Sequence, residues 1–172
     1  MKKVIASGTV LSFLGGIICS LLWTRFRFEA FFSLAVTFFT TFYHFIMRIL
    51  VACAVSACRK NKDGSALSAV RLSRAERIFY DKIRIKKWKK FAPTYNPSLF
   101  SVKRNSLSEL MNNMTNARIS HEIIVVLSFL PLLFSKFIGG TIPFLITSVL
   151  SALFDMQFVL IQRYNTARLE KI

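Results

Sequence analysis

The sequence predicts an all-α integral membrane protein with about four transmembrane helices and a basic, partly helical cytoplasmic segment between the second and the third. Three observations predict it. Of the 172 residues, 53% are hydrophobic and only 19% charged, whereas a soluble domain carries about 45–50% apolar and about 25% charged residues. The apolar residues stand in long blocks, so the excess belongs to lipid contact. The net charge of +16, from 24 Lys and Arg against 8 Asp and Glu, is concentrated in one hydrophilic stretch.

The first apolar run is Val4–Trp23, preceded by Lys2 and Lys3. It has about the 20 residues that a bilayer core requires. No A-x-A-like cleavage site follows it, so it reads as an uncleaved first helix rather than a signal peptide. Arg25, Arg27 and Glu29 make a short polar break. The second run, Ala30–Cys58, is rich in phenylalanine and longer than one span needs. His44 and Arg48 lie four apart within it, on one helix face. Arg48, near the end of the run, is expected to snorkel to the interface. Cys19, Cys53 and Cys58 lack metal-ligand spacing and read as small buried hydrophobes.

Residues 59–121 carry most of the basic charge, which the positive-inside rule assigns to the cytoplasm. The chain is thus divided into a two-helix membrane segment (1–58), a basic interfacial segment (59–121) and a C-terminal membrane hairpin with a tail (122–172). It is expected to be a multi-pass protein of the cell membrane with both termini cytoplasmic. In the middle segment, Asn61–Ser65 reads as a flexible link. Ser73 with Glu76, and Ser106 with Glu109, match the capping-box pattern that opens a helix. The stretch 73–91 is read as helical, although the spacing of Ile83–Trp88 also allows an extended strand. Ala92–Pro97 is a turn region.

The third run, Ile123–Ile138, is short and contains Pro131, which a membrane helix tolerates when neighbours satisfy the freed carbonyl. Gly139-Gly140 makes a tight turn, and Pro143 suits the first turn of the next helix. The fourth run, Ile142–Ile161, ends in Gln162-Arg163-Tyr164-Asn165. A re-entrant pair is the alternative for runs three and four. Asp155 is expected to pair with His44 or Arg48, or to face water.

If the last two runs fold back on each other, His121-Glu122 comes level with Gln162–Asn165 and with the basic aromatic strip Lys86-Lys87-Trp88-Lys89-Lys90. Histidine is the usual general base near neutral pH, and arginine or asparagine stabilises oxyanions or grips phosphate. The residues alone leave a bland reading open. In it His121 caps a helix and the strip anchors lipid headgroups in a non-catalytic protein that binds anionic lipid or a partner. No zinc-finger or RNA-recognition pattern points to nucleic acid. There is no Gly-rich phosphate loop and no metal-site motif.

Over residues 76–172 the chain resembles a family of small membrane acyltransferases. The resemblance rests on Phe79-Tyr80-Asp81-Lys82-Ile83-Arg84-Ile85-Lys86-Lys87-Trp88-Lys89, Ala117 with His121, Leu130-Pro131, and Gln162-Arg163-Tyr164-Asn165 with Arg168-Leu169. The family is named for glycosyl-4,4'-diaponeurosporenoate acyltransferase, the last enzyme of staphyloxanthin-type carotenoid synthesis. The resemblance implies transfer of a fatty acyl chain, from a thioester or lipid donor, to a sugar hydroxyl of a glycolipid-like acceptor such as a carotenoid glycoside. His121 would be the base and Arg163 or Asn165 the oxyanion stabiliser. Trp88, Lys86, Lys89, Gln162 and Tyr164 would bind substrate, and no metal or bound cofactor is required. The chain departs from the family pattern at Arg118, where members often carry an acid, and at Thr166-Ala167, where they favour arginine-proline.

Overall fold

A computed structural model describes residues 2–59, 72–88, 97–101 and 103–169. The Asn61–Ser65 link, residues 92–96 of the turn region, and Lys89 and Lys90 lie outside the described residues. The described elements are helices: α1 (Lys2–Phe26), α2 (Glu29–Cys58), α3 (Arg74–Lys82), α4 (Ile85–Trp88), α5 (Leu107–Leu127), α6 (Ser135–Ile138) and α7 (Thr141–Leu169), with 3-10 turns at Pro97–Phe100 and Leu130–Phe134. Among the described residues, four stretches are long and apolar enough to cross a membrane: Lys3–Phe26, Glu29–Cys58, Leu107–Ile138 and Thr141–Leu169.

The third stretch corrects the sequence reading. The helix opened at Ser106 runs on through Ile123 to Leu127, and with the turns that follow it makes one candidate span, Leu107–Ile138, so this span is not short. Its start is a capping box: Ser106 N–H donates to Glu109 Oε2 at 2.8 Å, and Glu109 N–H to Ser106 Oγ at 3.3 Å. No Gly or Pro interrupts residues 107–127, so nothing ends the helix where polarity changes.

The chain packs into two compact units, one of Met1–Val51 with Ile123–Phe154, the other of Ala52–Glu122 with Asp155–Ile172. In the first unit α1 and α2 are joined at Arg27, whose backbone is left-handed at φ 54°. Glycines of α1 meet phenylalanine rings of α2. A Cβ on Gly8 would stand 2.8 Å from the Phe45 ring, and one on Gly15 2.9 Å from Phe38. Removing side-chain bulk is how helices approach closely where lipid supplies no hydrophobic drive. Leu11, Leu14, Ile18 and Leu21 of α1 are exposed and suited to lipid.

Pro131 has no N–H to give the Leu127 carbonyl four residues back. That carbonyl accepts instead from the Tyr43 hydroxyl at 3.0 Å. Arg48 does not snorkel. Its Nη2 donates to Ser151 Oγ at 2.9 Å, Ser151 lies 3.0 Å from Ser128 Oγ, and Ser128 donates to the Ile124 carbonyl at 2.8 Å. Its guanidinium also sits over the Phe154 ring. A donor chain ending on a backbone oxygen holds the charge inside the helix packing, where snorkelling would leave Ser151 and Ser128 without it.

In the second unit Ser73 caps α3 through a complete capping box with Glu76. The chain turns at Arg84 (φ 53°), and Ile85–Trp88 is a helical turn rather than a strand. Tyr80, Ile85 and Ile161 form its core, with Ile83, Trp88, Leu160 and Tyr164 packed around them. Cys53 and Cys58 are exposed rather than buried; only Cys19 meets the expectation.

Candidate active site

His121 lies about four turns into α5, so it does not cap that helix. Its ring stacks on Phe158 of α7, with centroids 4.7 Å apart and planes 13° from parallel. Its Nδ1 lies 2.8 Å from Asp155 Oδ1. Asp155 is fully buried, while the His121 side chain is 25% exposed. A carboxylate only accepts, so Nδ1 carries the proton and Nε2 of the neutral ring keeps its lone pair. Phe158 and Asp155 are three apart on α7, hence on one face, and together they fix both the plane and the tautomer of the imidazole.

Arg163 stands eight residues beyond Asp155 on the same helix, about 12 Å of rise. Its Nη2 donates to Glu76 Oε1 at 2.6 Å. Glu76 works at both oxygens, since Oε2 accepts from the Ser73 N–H at 2.9 Å. The Ser73 backbone bond, aided by Arg163, holds the Glu76 carboxyl below its ordinary value despite some desolvation. Tyr80, buried beneath this pair, has its phenol pushed up by burial, with Arg163 pulling the other way. Tyr164 meets Tyr80 edge-on at 6.0 Å. The structure thus brings His121 to Asp155 and Phe158, and Arg163 to Glu76 and the Tyr80 core.

A family model described as glycosyl-4,4'-diaponeurosporenoate acyltransferase matches residues 64–172, well over half of the chain. The chain belongs to this acyltransferase family. No curated protein and no solved structure matches it. The matched region holds His121, Asp155, Glu76 and Arg163, whereas α1 and α2 precede it.

The acyltransferase match makes the departure at Arg118 informative. Arg118 is buried and lies 3.6 Å from Glu122, one turn on. Glu122 is thereby engaged by Arg118, and the carboxylate that serves His121 comes from α7. The departure at Thr166-Ala167 falls on two buried positions.

The other anticipated residues fall around Tyr164. Lys86, Tyr164 and Asn165 line one small cavity of about 60 Å³ with Ile85, Ile161 and Arg168. Tyr164 and Arg168 also wall a larger cavity of about 300 Å³ with Leu72, Arg77, Asp81 and Ala167. Trp88 is half-buried against the Tyr80–Ile85–Ile161 core. The Gln162 Oε1 is buried without a hydrogen-bond partner among the described residues. Lys89 lies outside the described residues. Among the described residues no group of three or more His, Cys, Asp and Glu side chains could hold a metal ion.

The Asp155 partnership is what sequence reading missed. Its one signal was a carboxylate inside an apolar run, which demands a partner. The candidates weighed were the polar residues of α2, because nothing in the sequence states which face of α5 turns toward α7.

Proposed function

We propose that the chain transfers a fatty acyl group to a sugar hydroxyl of a glycolipid-like acceptor, with a carotenoid glycoside as one such acceptor, at the cytoplasmic face of the cell membrane. The single observation that carries this reading is the His121–Asp155 pair within the family-matched region. An ionised carboxylate behind Nδ1 makes Nε2 a better base and steadies the imidazolium that forms. Nε2 takes the acceptor hydroxyl's proton as that oxygen attacks the acyl carbonyl. The tetrahedral intermediate collapses, the thiolate or alkoxide of the donor leaves, and the imidazolium returns the proton to it. The proton moves only through Nε2, and Asp155 serves to hold the ring.

Arg163 takes a different part here from the one anticipated. Held by Glu76, it orders α3 against α7, and Lys86, Tyr164 and Asn165 offer polar groups to the substrate. An aromatic face and an amide suit a sugar, and lysine suits an anionic donor. The block of Lys and Arg in residues 59–121 supports a cytoplasmic placement.

The test is acyl-product formation in membranes from cells carrying the gene, read by lipid mass spectrometry. His121→Ala is expected to lower it about 10²–10⁴-fold with the chain still inserted. Product at the wild-type level would remove the base from the mechanism and favour a lipid-binding role for the basic segment.

A further inference from the structure

Arg59 follows the last residue of α2, and its backbone N–H closes that helix on the Val55 carbonyl at 3.0 Å. The residue is only 8% exposed. Its Nε donates to Asn116 Oδ1 on α5 at 2.6 Å. Its Nη2 is buried and has no hydrogen-bond partner among the described residues. A guanidinium does not shed its proton at any accessible pH. The protein therefore buries a permanent cation against a neutral amide, an arrangement that is costly without a counter-anion. The carbonyls at the end of α2 supply about half an elementary charge, which offsets only part of that cost.

We propose that Arg59, held by Asn116, anchors a site for a phosphate oxyanion. Asn116 fixes one edge of the guanidinium plane and leaves Nη2 and its neighbour to a planar, two-pronged contact, the geometry that phosphate oxygens match. Depth along the chain supports the choice of anion. Arg59 stands where a 30-residue helix apolar enough to cross a membrane ends, the level at which lipid phosphates lie. Two sources present the same group there, an anionic phospholipid or a soluble phosphate such as that of coenzyme A. The site does not depend on the acyl-transfer reading; Arg59 precedes the family-matched residues and Asn116 lies within them.

The experiment follows thermal unfolding of the full chain in detergent at high salt, where contacts of exposed charges are screened but a buried pair is not. Phosphatidylglycerol, phosphate-free monoolein, inorganic phosphate and coenzyme A are each titrated. Phosphatidylglycerol is expected to stabilise the wild type and the surface variant Lys103→Gln/Arg104→Gln alike. Arg59→Gln should weaken its apparent affinity about tenfold or more, and monoolein should act equally on all. An Arg59-dependent response to coenzyme A or inorganic phosphate instead supports the same site with a soluble occupant. Equal responses of wild type and Arg59→Gln to every phosphate overturn the proposal. So does an Asp63→Asn variant that matches Arg59→Gln in both ligand-free stability and lost response, because the counter-ion is then internal. If Arg59→Gln does not fold, Arg59→Lys keeps the charge without the fork: weakened binding by the folded variant supports the site, and unchanged affinity overturns it.

Discussion

The two packed units solve the problem of buried polarity differently. In the first, most hydroxyls return to their own helix: Thr9 to Ile5, Ser12 to Gly8, Thr37 to Ser33 and Thr147 to Pro143, each a carbonyl one turn back. In the second, the decisive contacts join residues far apart in the chain: Arg59 to Asn116, His121 to Asp155, and Arg163 to Glu76. Local bonds let a helix bury polar atoms wherever it lies, as lipid-facing segments require. Distant bonds hold charged groups at fixed positions, as chemistry requires. The unit that carries charge across elements is the one with the candidate site. The first unit has its own distant links, Tyr43 to Leu127 and Arg48 to Ser151, and these serve a proline and a charge that local bonding cannot satisfy.

The contrast breaks or sharpens under substitution. The largest effect is expected from Asp155→Asn, which keeps shape but removes the carboxylate behind His121. Turnover should fall about 10²–10³-fold, with the acceptor KM little changed. Unchanged turnover would reduce the pair to packing.

Gly15→Val in the first unit should cost about 1–3 kcal/mol, because its Cβ would meet the Phe38 ring at 2.9 Å. Denaturation in mixed micelles checks it, and the double variant Gly15→Val/Phe38→Ala should recover part of the loss. Tyr43→Phe leaves the Leu127 carbonyl unpaired, at about 1 kcal/mol. Tyr43→Phe with Pro131→Ala should erase most of that penalty, since the alanine N–H restores the helical bond.

The smallest effect is pH dependence at Glu76. Its folded-state value lies below its ordinary 4.5. The stability it contributes is therefore complete above that ordinary value and is lost as pH falls through the lower folded one. Hydrogen exchange of α3 should accelerate as pH drops below about 4.5, after correction for intrinsic rates, and Glu76→Gln should flatten the response.

Much of this was legible in the chain. Apolar blocks gave the four spans, since lipid exposure demands continuous hydrophobicity over a fixed length. The two capping boxes, at Ser73 and Ser106, announced their helices because capping is a bond across three residues. Pro131 was expected to need a neighbour's hydrogen bond, and Tyr43 supplies it. Where composition was taken as a guide to boundaries it misled: the start of the third span was set at Ile123, where polarity changes, and the helix ignores that change because backbone bonding does not sense polarity.

By itself, then, the sequence determined the helices, their apolar length, the basic middle and the caps, all consequences of interactions among residues within a turn or two of each other. Tertiary structure alone decided partners. It set Asp155 beside His121, Glu76 beside Arg163, and Ser151 beside Arg48. Those choices depend on which faces of separate helices meet, and that is settled by the packing of every side chain along a seam rather than by any short stretch of chain.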